Sequence, residues 1–340
     1  MKDIKINSYT GFQRLKSCIV GKSYPPEFYD TIENPGVRDI MKRVARETEE
    51  DYQKLIKIIE DFGATVYRPE IDPTNNFDRH LIEHLDGIKR YQPPPMSPRD
   101  HLLVYGNTML VDRPTSSNYH IDFYQHIVDR IDGVVHLSDD NHILREMEMP
   151  SVTRVGKDVY FDDLKNGNKI RKQFFSDCRT HEVLTHGHSD GVFCPVTPGL
   201  IVSLHDVPTY KDTFPGWEVV FLPDQSWKLV NNWLDLKQRN GGKWWIPGEE
   251  KNDDLIDYVE TWLTDWVGYV EETVFDVNMF VLDEKNVVVN NYNKRVFEAL
   301  ERHGVTPHIC NFRHRYFWDG GLHCITLDLE REGDCVDYFK

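Results

Sequence analysis

Apolar side chains along this chain recur in two alternating rhythms, one helical and one extended. Over residues 37–62 they fall at helical spacing, with Val37, Ile40, Met41 and Val44, then Tyr52, Leu55, Ile59 and Phe62 on one side. Gly63 follows where a helix ends on a left-handed residue, and Thr65-Val66-Tyr67-Arg68 then reads as a strand ahead of Pro69. The same order returns at residues 121–131, Gly133 and 134–137, and more faintly at 168–178 with 181–184. It returns again at Gly216 with 218–222, and plainly at 293–303, Gly304 and 306–310. Five partner strands fit between these units. They are 17–20, 102–111 about a Gly106-Asn107 turn, 153–161 about Gly156-Lys157, 200–204, and 279–290 about Asp283-Glu284-Lys285.

Five irregular αβ repeats of this kind fit a ring of units around a pseudo-fivefold axis. They fit equally a doubly wound sheet with ordinary βα alternation, and periodicity is silent between the two. Charge and Pro/Gly content change nowhere abruptly enough to mark a linker, so residues 1–340 are expected to form a single domain. The hydrophilic stretches 34–50 and 237–254 read as surface helix and loop. Trp244, Trp245, Trp262 and Trp266 read as core or loop-packing aromatics rather than a ligand box.

Composition narrows the function classes. Lys and Arg total 40 against 56 Asp and Glu, for a formal net charge of -16, which repels nucleic acid and anionic membranes. No run approaches the roughly 18 apolar residues that cross a bilayer. The first residues, Met1 to Asn7, carry no apolar targeting core. Six cysteines are widely spread without a CxxC pair, so reduced thiols in the cytoplasm are expected, one of them available as a nucleophile.

Four clusters carry chemistry. In Gly320-Gly321-Leu322-His323-Cys324-Ile325-Thr326 two glycines permit close backbone approach to a ligand, and a thiol follows at the mouth of an apolar strand. The plain alternative is a buried structural cysteine. In His186-Gly187-His188-Ser189-Asp190-Gly191, residues two apart share a face of an extended segment, so His186, His188 and Asp190 can converge. A metal box of the HxHxDH type needs a further histidine where Gly191 stands, which leaves His188 as a general acid/base beside Asp190, or exposed loop histidines. Met96-Ser97-Pro98-Arg99-Asp100 places a carboxylate at a strand entrance, suited to a planar guanidinium or simply to capping a turn. Glu148 lies between Met147 and Met149 just ahead of a strand, where a solvated loop acid is the ordinary reading.

Together and in this order these blocks resemble the glycine amidinotransferase family of the guanidine-modifying pentein superfamily. The family's Met-Pro-Arg-Asp motif matches Met96-Ser97-Pro98-Arg99-Asp100, and its His-x-Asp followed by a Pro-Gly strand matches His188-Ser189-Asp190 and Pro198-Gly199-Leu200. Its Leu-Asp-Glu-Lys hairpin matches Leu282-Asp283-Glu284-Lys285, and its Gly-Gly-Phe-His-Cys-x-Thr matches Gly320 to Thr326. The likeness runs from about residue 15 to residue 338.

The resemblance implies a five-unit αβ propeller and a ping-pong reaction without metal or organic cofactor. Cys324 would be the nucleophile and His188 the general acid/base. Glu148 stands where the family has an aspartate partnering that histidine and the guanidinium. Asp100 and Asp190 fall on guanidinium-binding acids, and the adjoining Arg99 is counted with the substrate-binding residues. The family's carboxylate-holding arginine has no counterpart: Val207 stands near its place, with Lys211 the nearby cation. Thr185-His186-Gly187 departs from the glycine-specific pattern, which opens the acceptor to other amines. The expected partners are a guanidine donor such as arginine and an acceptor amine, possible as a homodimer, the commonest oligomer. Hydrolysis on the same site, as in arginine deiminases and dimethylargininases, is the rival chemistry. A non-catalytic binding module of the same fold is the rival class, disfavoured by the retained cysteine, histidine and three carboxylates.

Overall fold

The computed structural model describes residues 2–71, 81–83, 87, 89–112, 122–138, 144, 149–162, 173–184, 188–204, 207, 209–222, 244–267 and 274–340. The long helix predicted first spans Pro35–Asp61. Asn34 starts it, its side chain accepting from the backbone N–H groups of Gly36 and Val37, with Pro35 at the first helical position. Val37, Met41, Val44, Tyr52, Leu55 and Ile59 bury the expected face. Gly63, at φ 96°, turns the chain out of the helix into the strand Thr65–Tyr67.

Five three-stranded sheets repeat one topology, an antiparallel pair followed by a parallel strand. They join Leu102–Tyr105, Thr108–Val111 and Val134–Leu137; Val152–Val155, Asp158–Phe161 and Arg179–Glu182; Phe193–Thr197, Leu200–Ser203 and Glu218–Phe221; and Phe280–Asp283, Asn286–Val289 and Thr306–Ile309. The fifth pairs the late strand Thr326–Arg331 antiparallel with Leu15–Val20, which then runs parallel to Thr65–Tyr67. One unit is therefore shared between the two ends of the chain, and the doubly wound alternative falls.

Two local expectations change. The segment expected to be helical at 121–131 forms the short helix Gln125–Val128 after a turn, and Ile131–Asp132 pairs in parallel with Ile4–Lys5 instead. A side chain at Gly133 would come within 2.7 Å of the Asn107 carbonyl and of Ile6, so this strand lies hard against its neighbours. Phe193–Thr197 has no counterpart among the expected strands because Pro195 interrupts its pattern; the register shifts at Pro195, where a missing N–H is tolerated. Of the tryptophans, Trp244 and Trp266 are buried, as expected of packing aromatics.

At the centre one acid holds three units together. The buried carboxylate of Asp328 accepts from Arg99 at 2.8 Å, from Arg154 at 2.8 and 3.1 Å, from Arg331 at 3.1 Å and from the Ser8 hydroxyl at 2.5 Å. Burial alone would push this carboxyl up, but the guanidiniums of Arg154, Arg331 and Arg99 hold it well below the usual range. Asp328→Asn would leave three buried cations around a neutral amide. The expected loss is about 3–5 kcal/mol of folding stability, read from denaturant unfolding. An unchanged midpoint would deny Asp328 this place in the fold.

Candidate active site

Each unit's first strand is preceded by a turn or short helix, and these segments meet. They are Pro98–Asp100, Met149–Ser151, Ser189–Gly191, Val274–Val277 and the turn at 321–325. Met149–Ser151 packs between Pro98–Asp100 and Ser189–Gly191, and Ser189–Gly191 packs on Val274–Val277. Asn278 bonds Cys324, and the strand after Cys324 packs back on Pro98–Asp100, so the five segments form a closed ring. The repeat puts equivalent residues at the ring. Asp100, Asn278 and Cys324 each stand two positions before their strands, and Asp190 stands three before its own.

Within the ring Cys324 Sγ lies 2.9 Å from Asn278 Nδ2 and 3.3 Å from Asp190 Oδ2. The same Asp190 oxygen lies 2.9 Å from His323 Nδ1. The other oxygen, Asp190 Oδ1, is buried without a hydrogen-bond partner among the described residues, and so is Asp100 Oδ1. Buried acceptors are almost always paired, so two such orphans at one ring mark a place made for a donor.

The electrostatics agree with that geometry. Burial raises the Asp100 carboxyl to about 7; the charges of Asp190 and Asp319 add to the shift while His188 and Arg99 oppose it. Burial pushes Asp190 up as well, but the hydrogen bond and charge of His323, then His188 and Arg99, bring it below its ordinary value. Burial, with Asp190 and Asp100 adding to it, drives the Cys324 thiol well above its ordinary range and so favours the protonated thiol. A bound cation reverses the second cause.

The structure brings together Cys324, Asp190 and Asp100, with His188 immediately before the Ser189–Gly191 turn and its charge acting on both acids. Glu148 and His186 lie outside the described residues. Arg99 has a different place from the one its motif implies. It is buried, donating to the His323 and Thr326 carbonyls at 3.1 Å and to Asp328, so it ties the cysteine turn to the core. Its guanidinium is committed because Asp328 needs the charge. Lys211 is exposed on the helix Tyr210–Thr213 and among the described residues makes no hydrogen bond or ion pair to the ring, while Val207 is buried in the core. Asn278 escaped the motif reading, and His323 was quoted in the cysteine block without a role of its own. The available signal for Asn278 was a lone amide in the apolar run from Val277 to Leu282. Among the described residues no group of three or more His, Cys, Asp or Glu side chains is arranged to hold a metal ion.

No family model matches the chain. It is similar to the mitochondrial glycine amidinotransferase of Xenopus laevis, 21% identical over 392 aligned positions that cover 99% of this chain and 78% of the relative. It is also similar to the L-arginine:L-lysine amidinotransferase of Pseudomonas savastanoi pv. phaseolicola, 22% identical over 85% of this chain and 80% of that one. Among solved structures it resembles SxtG, an amidinotransferase from the saxitoxin pathway of Microseira wollei, with a TM-score of 0.69 and 16% identity across 98% and 99% of the two chains. Fold and ring define a pentein, a five-unit αβ propeller. The likenesses in sequence are to amidinotransferases.

Proposed function

We propose that this protein is an amidinotransferase that moves an amidino group from a guanidine donor, arginine in the simplest case, to an acceptor amine through a covalent intermediate on Cys324. The observation that carries this is the buried ring itself, in which the Cys324 sulfur lies 3.3 Å from Asp190 Oδ2 while Asp190 Oδ1 and Asp100 Oδ1 are buried without a hydrogen-bond partner among the described residues. A planar guanidinium supplies paired N–H donors and the positive charge that such a site lacks.

The donor cation docks on Asp100, Asp190 and, by resemblance, Glu148. Its charge stabilises the thiolate, and the thiol proton passes to His188. The sulfur attacks the guanidinium carbon, the C–N bond to the donor breaks, and His188 returns the proton to the departing amine. An acceptor amine then attacks the amidino-thioether, His188 takes its proton, and the C–S bond breaks to release the thiolate. Asp190 and His323 hold each other and so keep the acid aimed at the sulfur. Lys211 is assigned the outer contact with an acidic end of the donor.

We take residues 1–340 as one domain working in the cytoplasm, a reading supported by six unpaired cysteines. Among the described residues no helix is long and apolar enough to cross a membrane. A homodimer is the expected assembly, to be read from sedimentation. The deciding assay incubates the protein with arginine, alone and with a panel of amines. Ornithine released only when an amine is added supports transfer. Citrulline formed without one would replace transfer by hydrolysis, and an unmodified Cys324 with every guanidine tried would end the enzymatic reading.

A further inference from the structure

Three of the five segments around the ring carry site residues that the motif reading had picked out, Asp100, Asp190 and Cys324. The segment before the strand Phe280–Asp283 offers Asn278, which is wholly buried. Its amide orientation is settled by its neighbours. Oδ1 accepts from the backbone N–H of His323 at 2.8 Å and of Cys324 at 3.1 Å, so the oxygen faces the cysteine turn. The amino group is then left to donate to Cys324 Sγ at 2.9 Å and to the Asp190 carbonyl at 3.1 Å. Every hydrogen-bonding position of one small side chain is used, and all of them serve the nucleophile or the acid beside it.

The approach is close enough to dictate a neighbour. A Cβ at Gly321 would lie 2.5 Å from Asn278 Oδ1, so the second glycine of the cysteine block is required by this amide. The sulfur otherwise faces Asp190 and, through space, Asp100, both of which oppose a negative sulfur. We propose that Asn278 is a catalytic residue: its amino group holds a donor ready for the Cys324 thiolate, while its oxygen fixes the turn that carries the thiol. The donor is already in place before the proton leaves, so no reorganisation is needed when charge develops on sulfur. This deepens the amidinotransferase reading and rests on it only for the turnover part of the test.

The test compares wild type, Asn278→Ala and Asn278→Asp by two readouts. Alkylation of Cys324 by iodoacetamide at about pH 8, followed by mass spectrometry of its peptide, reports the thiolate fraction without any assumption about the substrate. Asn278→Asp keeps an acceptor for both N–H groups but loses the donor to sulfur, and it decides the question should the alanine variant fail to fold. Both folded variants are expected to alkylate about 10- to 100-fold more slowly, with the pH profile moved upward by about one to two units. The kcat of transfer should fall by about 10- to 100-fold, with the donor KM within about threefold of wild type. A folded Asn278→Asp that alkylates along the wild-type pH profile overturns the proposal. A wild type that shows the expected alkylation contrast with its variants but transfers no amidino group retires the transferase reading and leaves the Asn278 contact standing.

Discussion

Cys324→Ala is expected to lose donor turnover by roughly 10^4-fold or more while the protein stays folded. The chemical part follows from the ring, where no other sulfur replaces the one held between Asn278 and Asp190. The stability part follows from what remains after truncation. Asp190 Oδ2 keeps His323, and the Asn278 amino group keeps the Asp190 carbonyl, so the lost hydrogen bonds amount to about 1 kcal/mol. Cys324→Ser should be as inactive, since a hydroxyl can keep the Asn278 contact but does not ionise near neutral pH. Ornithine formation in steady state, together with thermal melting, measures both halves. Retention of a tenth of the activity by the alanine variant would refute covalent catalysis here.

Asp100→Asn should separate stability from binding. In the empty site the Asp100 carboxyl is raised from 3.8 to about 7, chiefly by burial, and its Oδ1 has no partner among the described residues. The folded protein therefore holds this proton more tightly than the unfolded chain does. The sign follows directly: between pH 3.8 and about 7 the folded state binds more protons, so stability falls as pH rises through that window. Removing the charge should stabilise the ligand-free protein above pH 7 by on the order of 4 kcal/mol and change little below about pH 4. The donor cation needs the ionised form. Wild-type donor KM is thus expected to fall as pH rises through about 7, and the asparagine variant to bind the donor about 100-fold more weakly without that dependence. Melting curves and KM measured across the same pH range test the pair. A variant less stable than wild type at pH 8, or one that keeps the wild-type pH dependence of KM, would contradict this assignment.

Arg99 and Asn278 show where reading along the chain stops. Arg99 sits beside a ring acid in its motif, yet its partner Asp328 lies 229 positions further on, and that buried charge turns the guanidinium inward. Asn278 carries no motif, and its meaning depends on Cys324, 46 positions away. Asp100, Asp190 and Cys324 were legible because their residue types and strand-entrance positions are local features, and His188 was read with them from the same turn.

The order of residues by itself determined the long helix Pro35–Asp61 with its asparagine cap and glycine exit, most of the hairpins, the net acidic charge, and the blocks from which the candidate site was assembled. Those are decided by spacing and local backbone preference, which act over a few residues. Only the tertiary structure decided that the units close into a ring through Thr326–Arg331 and Leu15–Val20, that three arginines converge on Asp328, and that an amide from one unit meets the thiol of another. Each joins residues far apart in sequence, and burial removes the water that would otherwise satisfy their charges and hydrogen bonds, so they are specified by mutual contact and by nothing adjacent to them in the chain.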